Sequence, residues 1–104
     1  MLIEAVEEWV TANRDLWKSR GALISEARVG ERGTVAVDID TSTGSALGQM
    51  IVWERGFCDF VALDVATEQY LRNEHHEPKT SEEVVRILES ATGFMASFAE
   101  YREQ

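Results

Sequence analysis

His75-His76, flanked by Glu74 and Glu77, is the densest grouping of metal-binding side-chain types in the chain. Neighbouring residues of an extended chain point to opposite faces, so the two imidazoles do not chelate as a helical i, i+4 pair would. No second cysteine or spaced histidine completes a site, and the pair reads as exposed histidines in a loop before Pro78. Asp59 and Asp64 on one predicted strand, with Glu54 nearby, have the residue types of a general acid/base pair. Yet 19 of 104 residues are Asp or Glu, so carboxylates fall near one another by chance. Cys58 is strand-borne with no basic helper close in sequence, which describes a buried structural thiol better than a nucleophile. Ser81 is accounted for by a helix start, and there is no Gly-x-Ser-x-Gly elbow or glycine-rich phosphate loop. Tyr70-Leu71-Arg72 is too isolated a basic-aromatic cluster for nucleic acid. The expectation is a protein with no catalytic residues, no metal and no cofactor: not an enzyme, but a binder.

The elements that would position these residues follow from periodicity. Over residues 2–19, Leu2, Val6, Trp9, Val10, Asn13, Leu16 and Trp17 recur at three- and four-residue steps, with charges between them, which predicts an amphipathic helix. Its tryptophans read as core. Gly21 is the expected stop, preceded by Lys18 and Arg20, which suit the negative end of the helix. The period then becomes two. Leu23 to Val29 reads as a strand closed by Gly30-Glu31-Arg32-Gly33. In Thr34 to Asp40, Val35, Val37 and Ile39 fall on one face and Asp38 and Asp40 on the other. Thr41 to Ser45 is turn chemistry. Leu47 to Glu54 and Phe57 to Val65 form a hairpin around Arg55-Gly56, and Glu68 to Glu74 is either a charged edge strand or an irregular loop. After Pro78, Thr80-Ser81-Glu82-Glu83 is a capping box opening a helix with Val84, Leu88, Ala91, Met95 and Phe98 on one stripe, to about residue 102. Gly93 is a close-packing point or a weak spot in it. The fold class is α+β, an antiparallel meander of four to five strands flanked by an N-terminal and a C-terminal helix.

Length favours a single domain over 1–104. Ten Lys and Arg against nineteen Asp and Glu give a net charge of −9, which repels nucleic acid and anionic membranes and favours basic partners, or serves solubility alone. A lone cysteine excludes an internal disulfide, the N-terminus is acidic where a signal peptide would be basic, and no apolar run approaches the roughly 18 residues of a membrane span. The chain reads as cytoplasmic, with a monomer or weak dimer expected.

Two helices cover about 20 Å, and five strands span about 24 Å. If both helices share one face, the other face is open and carries Asp38, Asp40 and half of the hairpin. If they straddle the sheet, both faces are buried. A two-residue hairpin loop pairs Trp53 with Cys58 and Ile51 with Phe60. A three-residue loop that includes Phe57 pairs Trp53 with Asp59 and Val52 with Phe60. In either register both faces of the hairpin carry large apolar groups, although helices need cover only one. An apolar sheet face with an acidic rim has the character of a protein-binding surface. The candidate partner-binding residues are Asp38, Asp40, Trp53, Glu54, Phe57 and Asp59.

Ile51-Val52-Trp53-Glu54-Arg55-Gly56-Phe57-Cys58-Asp59 resembles the Trp-Glu-x-Gly-x-x-Asp hairpin of TriTu-like immunity proteins, small cytosolic antidotes encoded beside bacterial polymorphic toxins. Leu63 to Thr67, His75-His76-Glu77 and Thr80 to Glu83 are similar to that family's second half, and the likeness extends over residues 34–98. Ala66-Thr67-Glu68 departs from it, where a glycine is expected in the turn. The resemblance implies a protein that binds and neutralises a cognate toxin by occluding its active site, with an ADP-ribosyltransferase as one toxin class. Trp53, Glu54, Gly56 and Asp59 carry over as motif positions. An acidic secretion chaperone, dimeric through a helix or strand, is the competing expectation.

Overall fold

Leu2, Val6, Trp9 and Val10 supply the buried stripe of the first helix, α1 (Leu2–Lys18), and the chain leaves it through Gly21 as expected. The stripe does not run its full length, since Leu16 is 45% exposed. A computed structural model describes residues 1–25 and 27–103, and side chains as far as residue 99. After α1 come β1 (Ala22–Ile24), β2 (Arg28–Gly30), β3 (Thr34–Thr41), β4 (Ala46–Trp53), β5 (Phe57–Asp64), β6 (Tyr70–His76) and α2 (Ser81–Glu103). The α+β class is as expected, but the antiparallel sheet has six strands in the order β1-β3-β4-β5-β6, with β2 also paired to β3.

The extra strand comes from a break in the first one. Ile24 pairs with Ile39 and Arg28 with Ala36, so three residues lie between the pairs on this edge and two on β3. Such a bulge reverses side-chain parity. Leu23 to Val29 is therefore not the single strand expected (Glu26 lies outside the described residues), and Arg28 arrives on the sheet face that carries Asp38. The uncertain fifth strand exists as β6, so His75 and His76 are strand residues and not loop residues. Its entry turn holds Glu68 at φ 61°, in the left-handed region where a glycine was expected.

The hairpin adopts neither expected register. Trp53 pairs with Phe57, Val52 with Cys58, Ile51 with Asp59 and Met50 with Phe60. Glu54 lies outside the β4–β5 ladder while still bonding toward β3. Its amide donates to the Gly33 carbonyl (2.8 Å), making a three-residue loop Glu54-Arg55-Gly56, with the Gly56 N–H donating to Trp53 O (2.9 Å). Gly56 has φ +110°, which an L side chain rarely adopts.

Burial alternates without exception along β3, β4 and β5 as to which face is deeper. Val35, Val37, Ile39, Met50, Val52, Cys58, Phe60 and Ala62 face the helices and are almost fully buried. Both helices touch this one face and each other, so the straddled arrangement is excluded. Gly48 marks the closest approach: a Cβ there would lie 2.5 Å from Ile39 O and 3.2 Å from Met95 Cε on α2. α2 opens as expected, with the Glu83 N–H donating to Thr80 Oγ1 (3.1 Å), while the Glu83 carboxylate accepts from the Lys79 amide (2.6 Å).

Candidate functional site

Among the described residues no element lies over the opposite sheet face, and strand parity dictates what it displays. Trp53 and Phe57 end β4 and begin β5 as cross-strand neighbours, both half-buried. One row further, Ile51, Asp59 and His75 lie side by side on β4, β5 and β6. The His75 ring stacks on Phe57 with centroids 5.9 Å apart, and its Nδ1 lies 2.5 Å from Asp59 Oδ1. Trp53, Arg55, Phe57, Asp59 and His75 line a shallow depression of about 370 Å³. Aromatic rings in cross-strand contact, with a guanidinium and a carboxylate beside them, are equipped to grip another protein's side chains.

The next row holds Asp38, Gln49 and Val61. Arg28, brought round by the bulge, grips Asp38 with two nitrogens, at 2.8 and 3.2 Å, and Gln49 adds a third bond at 3.3 Å. The Arg28 guanidinium holds the Asp38 carboxyl below the usual carboxylate range. Asp40 differs. The Gly48 amide donates to its Oδ1 at 3.2 Å, and burial pushes its pKa up. The acidic rim expected from sequence is thus largely paired within the face. The exposed carboxylates concentrate elsewhere, on the helices, at Glu4, Glu7, Glu8 and Asp15 on α1 and Glu82 and Glu89 on α2.

Of the six candidate residues, Asp38, Asp40, Trp53, Phe57 and Asp59 share the open face by parity. Glu54 is turned away from it. Its carboxylate accepts from the Leu2 amide (2.8 Å) and the Ile3 amide (3.3 Å), the first amides of α1, where Met1 supplies no side-chain cap. Sequence reasoning missed His75 and Arg28 as members of the face. The histidine was hidden by the doubt over β6, and the arginine by the bulge.

The other chemical groupings come apart. Asp59 faces outward and Asp64 inward on β5, where it accepts from the Ala66 amide (3.1 Å), so they form no carboxylate pair. His76 faces away from His75 and lies 3.0 Å from Glu74. No group of three metal-ligand types is found among the described residues. Cys58 sits with its Sγ 2.9 Å from Met50 Sδ, and burial, with Asp59 and Glu74 adding to it, pushes the thiol up to about 12. Such a thiol is inert as a nucleophile at neutral pH.

The model of the immunity protein TriTu family matches residues 4–92, most of the chain and all of the sheet. The chain belongs to the TriTu immunity protein family. A search of curated proteins returns no match. In this TriTu family member the hairpin motif divides by role: Glu54 joins the hairpin to α1 and Gly56 makes its turn, while Trp53 and Asp59 stand on the open face. The family neutralises toxins, and no helix among the described residues is long and apolar enough to cross a membrane.

Proposed function

We propose that this chain, acting as one immunity-type domain, neutralises its cognate toxin in the cytoplasm by binding alone, laying its open sheet face over the toxin's active site. The observation that carries the proposal is the one-sided packing: a sheet face with Trp53, Phe57 and His75 in contact range, left uncovered in a member of an immunity family. The contact residues are Trp53, Phe57 and Asp59, with Asp38 and Asp40 beyond them, while Glu54 acts indirectly by holding the hairpin on α1. An ADP-ribosyltransferase of a polymorphic toxin system is the toxin class we favour, from the motif. A net charge of −9 supports encounter with the basic clefts that bind NAD or nucleic acid, and disfavours nucleic acid as a partner. Family membership favours this function over an effector chaperone.

The test uses the toxin domain encoded next to this chain. Trp53→Ala, Phe57→Ala and Asp59→Ala are assayed for melting and for protection of cells from that toxin. Loss of protection by folded variants is the expected result. Variants that stay folded and protect fully would remove this face from the interface. Occlusion is checked separately: an NAD analogue bound to the toxin should be displaced by the wild-type chain, and simultaneous binding of both would contradict it.

A further inference from the structure

At the far end of the open face from Trp53, a second apolar group crosses the whole sheet. Leu23 on β1 pairs with Asp40 on β3, Leu47 on β4 with Leu63 on β5, and Leu63 with Tyr70 on β6. The β-bulge between β5 and β6 turns Leu71 toward the core and leaves Tyr70 outside. Leu23 is 38% exposed, Leu47 49% and Tyr70 68%, with Val65, 45% exposed, just past the end of β5. Four strand spacings of about 4.8 Å make this band about 19 Å long. Single exposed apolar residues are ordinary on a protein surface, but a row of them on an uncovered sheet face is not.

Asp40 lies within the band. Asp38 has Arg28 and Asp59 has His75, whereas Asp40, half-buried, has only the Gly48 amide and no cation among the described residues. Burial without a cation has already raised its pKa, so an arriving positive charge would relieve a cost that the free protein carries. Size points the same way. Five strands by eight residues give a face of about 24 by 26 Å, about 600 Å² in projection. A stable complex buries about 800 Å² per partner. The Trp53 end is only part of that face, so a partner of ordinary size seated on it extends over this band as well.

We propose that the band of Leu23, Leu47, Leu63 and Tyr70 is the second anchor of the toxin contact, taking an apolar ridge of the toxin that bears one arginine or lysine, which pairs with Asp40. This rests on the reading of the open face as the toxin-binding side. The band grips side chains by burial, and Asp40 fixes their register.

The experiment titrates the neighbouring toxin domain calorimetrically with wild type, Leu47→Ser, Tyr70→Ser, Asp40→Asn and Asp40→Lys, alongside melting and sedimentation of each chain alone. Loss of an interface anchor predicts Kd raised about thirty-fold for Leu47→Ser or Tyr70→Ser. Loss of the charge pair predicts about ten-fold for Asp40→Asn, and more for Asp40→Lys. If Leu47→Ser melts early, Tyr70→Ser, at the most exposed position, carries the test. Wild-type affinity in all folded variants overturns the inference while leaving the Trp53 end as the contact. A wild-type dimer that Tyr70→Ser dissociates also overturns it, making the band a self-association surface. If wild-type chain fails to bind the toxin at all, the functional reading falls first and this inference with it.

Discussion

Replacing Glu54 by alanine removes two bonds that tie the β4–β5 loop to the start of α1. The carboxylate accepts from the Leu2 amide at 2.8 Å and, less closely, from the Ile3 amide at 3.3 Å, and no side chain of the helix itself caps that end. A charge-assisted bond contributes about 1.5 kcal/mol where it is partly shielded, and a longer one less. A negative charge at a helix N-terminus adds about 0.5 kcal/mol. Water can replace part of this once the side chain is gone, because the site is only partly buried. The expected loss is therefore about 1.5–2 kcal/mol, a melting shift of about 6–10 °C for a domain this size. Glu54→Gln keeps one acceptor oxygen and should lose about half as much. Urea denaturation gives the stability, and hydrogen exchange of the Leu2 and Ile3 amides shows whether the effect is local. Glu54→Ala with stability within about 0.5 kcal/mol of wild type, and toxin binding lost, would refute the capping argument and return Glu54 to the interface.

Thr80→Ala should lose about 1 kcal/mol through the α2 cap, seen in urea, with toxin affinity unchanged. Gly93 on α2 and Gly48, which faces it, separate cleanly. Gly93→Ala places a methyl 3.9 Å from Trp17 Cη2, ordinary contact, and should stabilise by up to about 1 kcal/mol. Gly48→Ala meets Ile39 O at 2.5 Å and should destabilise by about 2 kcal/mol or more, both read by thermal melting. Asp40→Asn tests the sign of a buried charge. A carboxyl whose folded pKa is raised costs stability above that pKa, and the cost fades as pH falls toward the unfolded value. The variant should thus be the more stable at pH 7, with the difference shrinking on acidification. A difference that grows on acidification would contradict the burial of that charge.

How much could be read in advance depended on whether the cause was local. The alternation of Val35, Val37 and Ile39 against Asp38 and Asp40, and the Thr80 capping box, are set by neighbours in sequence and stand as expected. The hairpin register is not local. It goes with Glu54 sitting in the loop, its amide on the Gly33 carbonyl and its carboxylate on amides more than fifty positions away, which no loop-length rule contains. Placing five candidate residues on one face needed only strand parity. Knowing which acids already had a side-chain partner needed a bulge that carries Arg28 across the sheet and a charged strand, β6, that brings His75 to Asp59. The far band was missed for the same reason, since Tyr70 faces outward only because of the bulge beside it.

The measurement that bears most directly on the central claim is hydroxyl-radical footprinting of the chain, free and saturated with its neighbouring toxin domain. The open face carries reactive reporters at both ends, Trp53 and Phe57 at one and Leu47 and Tyr70 at the other. The helix layer has its own exposed reporters, Leu16 and the partly buried Trp17 and Val85. Binding through the sheet predicts loss of labelling at Trp53, Phe57, Leu47 and Tyr70, with Leu16, Trp17 and Val85 labelled as before. Protection of the helix reporters, with the four sheet residues labelled as in the free chain, would contradict it.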